Sequence, residues 1–84
     1  MKSTLHIALG TFPDYILKEA EILVASLGEI APNSDYIYLR LGRNDILYQV
    51  EFRVDYVGEH LSSLSKSRYL NDALEDSFTK IVNL

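Results

Sequence analysis

Ile46-Leu47-Tyr48-Gln49-Val50-Glu51-Phe52-Arg53-Val54-Asp55-Tyr56 alternates from end to end. Ile46, Tyr48, Val50, Phe52, Val54 and Tyr56 fall on one side, and Leu47, Gln49, Glu51, Arg53 and Asp55 on the other. Successive side chains of a strand point to opposite faces, so this period of two predicts a strand with one face buried. Upstream, Tyr36 to Leu41 alternates in the same way, Ile37, Leu39 and Leu41 opposing Tyr36, Tyr38 and Arg40. Gly42-Arg43-Asn44-Asp45 lies between the two and has turn composition, which predicts an antiparallel hairpin.

Downstream, Val57-Gly58-Glu59 offers a second reversal. His60 to Ser65 has weaker strand character because serine recurs in it, and it reads as an edge strand. A final helix is expected to start at Ser67 or Arg68, with Leu70, Ala73, Leu74, Phe78 and Ile81 as its apolar stripe. Asp72, Glu75, Asp76 and Lys80 face outward, the first three toward the positive end of the helix.

Working back from the hairpin, Ala31 to Ser34 reads as a loop, and Gly28 is placed as a left-handed cap on a helix spanning 12 to 27. Ile16, Leu17, Ala20, Leu23, Val24 and Leu27 form the stripe of that helix, and Thr11 with Asp14 resembles a capping start. Before Gly10, Thr4 to Leu9 alternates as a first strand, with Leu5, Ile7 and Leu9 opposing Thr4, His6 and Ala8. The order is β-α-β-β-β-α. It predicts an α+β fold with a four-stranded sheet and two helices packed on one face.

Length sets the scale. A single domain covering residues 1–84 is expected, burying only somewhat over ~60% of its unfolded surface around one core. The chain has no cysteine, so no disulfide framework, thiolate metal site or cysteine nucleophile is available. No apolar run reaches the ~20 residues that cross a bilayer, and residues 1–6 are too short and polar for a secretory leader. A cytoplasmic protein without a membrane partner is expected. The net charge is −4, and the average field therefore repels phosphate backbones. Nucleic-acid binding must rest on a local patch, and DNA is not an expected partner.

No constellation for catalysis emerges. His6 and His60, the two histidines, lie on different strands without a carboxylate at ligand spacing, so they read as strand histidines facing water, and no metal site is expected. Ser62, Ser63, Ser65 and Ser67 have no nucleophile elbow and no identifiable base, and read as edge-strand and capping residues. The carboxylates Glu19 and Glu21, and Asp72 with Glu75 and Asp76, lie on the wet sides of helices, where nothing would raise a pKa for acid-base work. The four glycines are isolated, and no phosphate-cradling loop is present. No enzyme and no cofactor are expected.

The informative surface is the sheet face away from the helices. Tyr36, Tyr38 and Arg40 on one strand would neighbour Gln49, Glu51 and Arg53 on the next, with His6 joining from the first strand. Aromatic rings beside arginine are what a sheet uses to stack bases and neutralise phosphates. Tyrosines also make good cross-strand pairs, and an aromatic sheet face equally suits a homodimer contact. A second basic patch joins Lys66 and Arg68 at the entry to the last helix, with Lys18 or Lys80 as candidate additions. Two to four cations of this kind give weak, salt-sensitive attraction or remain a solvated helix start.

Gly58-Glu59-His60-Leu61, the segment Tyr69-Leu70-Asn71-Asp72-Ala73-Leu74 and Thr79-Lys80-Ile81 together resemble the end of the ribosome hibernation promoting factor family, also called ribosome-associated inhibitor or sigma-factor modulation proteins. That family has a glycine turn, a short strand and a helix written roughly Tyr-Ala-Ala-Ile-Asp, followed by Asp-Lys-Leu. Asn71 to Glu75 and Thr79 to Ile81 occupy those positions. The chain departs from the pattern at Asn71, at Asp72 and in its net acidic charge. The resemblance implies a cytoplasmic, stress-responsive regulator of translation that binds RNA of the small ribosomal subunit. The residues it would use are Lys18, Arg40, Arg53, Lys66, Arg68 and Lys80, with Tyr36 and Tyr38 stacking. The alternative is a diverged protein-interaction or homodimerising module with the same fold and no RNA binding.

Overall fold

The computed structural model describes residues 12–56 and 58–83, and the backbone of residues 2–7. The elements are β1 (Lys2–Ile7), α1 (Asp14–Ile30), β2 (Ser34–Asn44), β3 (Leu47–Tyr56), β4 (Glu59–Ser67) and α2 (Leu70–Val82). The sheet order is β1-β2-β3-β4. Its antiparallel part is the three strands β2, β3 and β4, while β1 lies alongside β2 in parallel. Both helices cover one face of this sheet, and their stripes meet Ile37, Leu39 and Leu41 of β2 and Val50, Phe52 and Val54 of β3 in one core. The ring of Phe78 on α2 stands edge-on to Phe52, centroids 5.7 Å apart, a favourable aromatic geometry.

The hairpin differs from its expected form. The reversal is not Gly42 to Asp45 but the two residues Asp45 and Ile46, because Asn44 pairs with Leu47 and Leu41 sits opposite Val50. Asp45 adopts φ 55°, the left-handed conformation that a two-residue hairpin needs at its first central position and that a short polar side chain tolerates. β2 therefore runs on through Gly42 and Arg43, and β3 begins at Leu47 rather than Ile46. The second reversal is at Gly58, whose φ of +80° suits a residue without Cβ; Val57 lies outside the described residues.

Three boundaries of the helices also move. Gly28 does not cap α1. It is buried inside the helix, which continues to Ile30. The stop is imposed by Pro32: the residue before a proline is driven from helical geometry, and Ala31 has φ −123° and ψ 70°. The N-cap is Pro13, without a side-chain capping bond, and the expected role of Thr11 lies outside the described residues, as do Ala8, Leu9 and Gly10. β1 is described over Lys2–Ile7, so it begins two residues before the expected Thr4, and its expected end at Leu9 lies outside the described residues. α2 starts at Leu70, not Ser67 or Arg68, since Tyr69 is extended and its N–H donates to Ser67 Oγ at 3.1 Å.

β4 is longer than expected because its serines are structural. Ser63 and Ser65 point toward the helix layer and are buried, as is Ser77 of α2. Ser63 Oγ donates to the Ser77 carbonyl at 2.7 Å and lies 2.8 Å from Ser77 Oγ. Three small hydroxyl side chains let strand and helix approach closely, and among the described residues no buried side-chain polar atom lacks a partner. At the strand's outer edge, Lys80 Nζ donates to the Leu64 carbonyl at 3.4 Å, so a cation guards part of the unpaired edge.

Candidate nucleic-acid interface

The uncovered face of the sheet is a grid fixed by strand register. From the hairpin end its rows are Gly42–Gln49–Lys66, Arg40–Glu51–Leu64, Tyr38–Arg53–Ser62 and Tyr36–Asp55–His60. Alternation puts these residues on the side opposite the core, because Leu39, Leu41, Phe52 and Val54 take the intervening positions. His6 is in register with Arg40 along the backbone.

Arg40, Arg53 and Lys66 are all exposed on this face. Arg40 and Arg53 occupy diagonal positions, each opposite a different partner: Glu51 for Arg40 and Tyr38 for Arg53. Tyr36 and Tyr38, half-buried, stack on one another with centroids 6.3 Å apart and planes 22° from parallel. At the far end His60 Nδ1 lies 2.6 Å from Asp55 Oδ1, a contact that becomes an ion pair when the ring is protonated. Arg40 and Lys66 thus lie in the two rows nearest the hairpin turn, with Glu51 between them, Arg53 follows in the third row, and Asp55 beside His60 lies in the farthest. Near the hairpin a hollow of about 380 Å³ is lined by Arg40, Gly42, Arg43, Gln49, Glu51 and Leu64, among others.

The remaining cations from the sequence reading do not join this surface. Lys18 lies exposed on α1, in the helix layer. Lys80 is engaged by Asp76 at 3.1 Å and by the Leu64 carbonyl. Asp76 also accepts from Ser65 Oγ at 2.6 Å, and the Ser65 hydroxyl, then Lys80, holds its carboxyl below the usual range. Arg68 lies just before α2, in a groove with Tyr15, Tyr48 and Tyr69. The helix layer itself is acidic, since the hollow between α1 and α2 is lined by Glu19 and Glu75.

Arg43 was absent from the expected set because its neighbours have turn composition. In the structure its guanidinium carbon stands 5.4 Å from the centroid of the Tyr48 ring, and its Nε donates to the Asp45 carbonyl at 3.2 Å. Tyr15 falls just off an apolar stripe and has no sequence signal of its own, and Tyr69 has only its place in the family-like segment Tyr69 to Leu74. Among the described residues no group of three or more His, Cys, Asp or Glu could hold a metal, and no helix is long and apolar enough to cross a membrane.

Among solved structures, the chain is similar to a ribosomal subunit interface protein from Coxiella burnetii, with TM-score 0.85 and 11% identity over 99% of this chain and 91% of that one. It is also similar to the N-terminal domain of Thermus thermophilus Protein Y, with TM-score 0.76 and 17% identity over 98% of this chain and 89% of that one. No protein-family model matches the sequence, nor does any curated protein. At these identities the shared property is the fold, and at that level the resemblance to hibernation-type factors holds.

Proposed function

We propose, from the fold shared with ribosomal subunit interface proteins, that this chain is a single-domain, non-enzymatic cytoplasmic factor that binds RNA of the small ribosomal subunit and restrains translation under stress. The observation that carries the proposal is the open sheet face, where Arg40 and Arg53 flank Tyr38. Guanidinium groups there would meet phosphates, and tyrosine rings would stack on bases. Lys66 extends the basic strip toward the hairpin, with Arg68 around the corner, whereas Lys18 and Lys80 would contribute little. A net charge of −4 makes this a weak interaction dominated by a local patch. Cosedimentation with ribosomal subunits at low and moderate salt tests it. Pelleting at low salt that Arg40→Ala with Arg53→Ala abolishes supports the assignment; a protein that stays in the supernatant at both salts ends the proposal.

A second reading draws on Leu64, which is 49% exposed on the edge strand of the same face. With Arg40 and Arg53 alongside Glu51 and Asp55, that face carries both signs of charge, and two copies could pair through it about a two-fold axis. A sedimentation measurement that finds only monomer at high concentration would remove this reading.

A further inference from the structure

The start of α1, the start of α2 and the turn end of the β2–β3 hairpin meet at one end of the molecule. A groove of about 300 Å³ lies there, with Tyr15, Tyr48, Arg68, Tyr69 and Asn71 in its lining. Tyr15 and Tyr69 are 66% and 68% exposed. Neither ring is needed by the core, yet both border the same groove. Arg43 covers the Tyr48 ring in a cation–π contact and also lines the hollow on the open sheet face. It therefore stands between the two depressions. Next to the groove, on the side of the helices, Glu19 and Glu75 line the interhelical hollow.

We infer that this groove takes one unstacked base of a single-stranded RNA, with Arg68 and Arg43 at the phosphates on either side of it. Tyr15 and Tyr69 supply faces for a base of any identity, because every base has a π-face, while the Tyr48 ring, covered by Arg43 and packed against Phe12, forms the wall behind them. The Asn71 amide adds a donor and an acceptor for a base edge. A volume at the small end of ligand sites fits a single nucleotide. The carboxylates of Glu19 and Glu75 turn a phosphate backbone away from the helices. The strand leaves instead past Arg43 to the hollow beside Arg40 and Gln49. The inference rests on the RNA-binding reading and adds a stacking site on the helix side of the hairpin to it.

Fluorescence anisotropy with a short labelled single-stranded oligoadenylate at low salt provides the test. Tyr15→Ala with Tyr69→Ala should weaken binding by roughly tenfold or more, whereas Tyr15→Phe with Tyr69→Phe should bind as the parent does. Both tyrosines are largely in water, and an unchanged melting temperature verifies that the variants are folded. If the alanine pair binds as tightly as the parent, the groove is not the site; the wider RNA reading then survives provided that Arg40→Ala with Arg53→Ala weakens binding. If the duplex form of the oligonucleotide binds as well as the single strand, the inference is overturned. Absence of oligonucleotide binding by the parent overturns the inference, while cosedimentation with ribosomal subunits decides the wider reading.

Discussion

Glu51→Gln should tighten RNA binding, and a gain of affinity is harder to produce by accident than a loss. Glu51 is the register partner of Arg40 on one side and of Leu64 on the other. Cross-strand neighbours have Cβ atoms about 4.5–5.5 Å apart, so a phosphate held by Arg40 lies on the order of 6 Å from the Glu51 carboxylate. The repulsion between two unit charges at that distance is ~0.7 kcal/mol in bulk water and ~3 kcal/mol at an effective dielectric constant near 20. Half-buried Glu51 sits between these limits, and salt lowers the figure further. The expected result is a Kd smaller by about threefold to tenfold at low salt, with the gain shrinking as salt rises. Anisotropy titrations of parent and variant at two salt concentrations measure it. Equal or weaker binding by a variant that melts at the parent's temperature would mean that phosphates do not approach Arg40, and the assignment of the open face would fall.

Three further outcomes follow from the packing. Phe52→Ala should cost about 3–5 kcal/mol in denaturant unfolding, since Phe52 is fully buried against Phe78; a cost below 1 kcal/mol would contradict the core described. For the Ser63–Ser77 pair, each single alanine variant leaves a buried hydroxyl or carbonyl short of a partner, at about 1–3 kcal/mol, while the double variant should cost less than the sum; strict additivity in the same unfolding assay would show that the two hydroxyls do not interact. Asp76 gives a pH signature: its pKa is lowered in the folded state from an ordinary value of 3.8, so its stabilising contribution is complete above that value and disappears as pH falls through the lower folded value. The melting-temperature difference between parent and Asp76→Asn should accordingly be constant near neutrality and vanish in acid; a difference that grows on acidification would reverse the assignment.

Much of the fold was legible because apolar spacing is a direct consequence of burial. Val50, Phe52 and Val54 are buried as the alternation of β3 requires, and Ile16, Ala20, Val24 and Leu27 are the buried stripe of α1. Register was not legible. Leu41 could face Ile46 or Val50 without moving any side chain to the other face, so alternation alone could not choose between a four-residue and a two-residue reversal. That ambiguity hid Arg43, which only the longer β2 turns into a strand residue stacked on Tyr48. Gly28 misled because glycine is common after a helix, and only tertiary packing and Pro32 decide that the helix passes through it. Ser63, Ser65 and Ser77 were unreadable as core because a serine's burial depends on a partner from a distant element. Arg40 and Arg53 share the open sheet face as their alternation requires, whereas Lys66, expected at the entry to the last helix with Arg68, joins them only because β4 runs on to Ser67. The groove beside Tyr15 and Tyr69 joins residues far apart in sequence and had no local signature.

The central claim is that an acidic chain binds ribosomal RNA through a small basic and aromatic patch, and the salt dependence of binding to isolated small ribosomal subunits tests it most directly. With Arg40, Arg53 and Lys66 as the phosphate contacts, the slope of log affinity against log salt should be about −2, and it should move toward zero by about 0.7 for each of the three replaced by alanine. A slope near zero, or one that the three substitutions leave unchanged, would contradict the account.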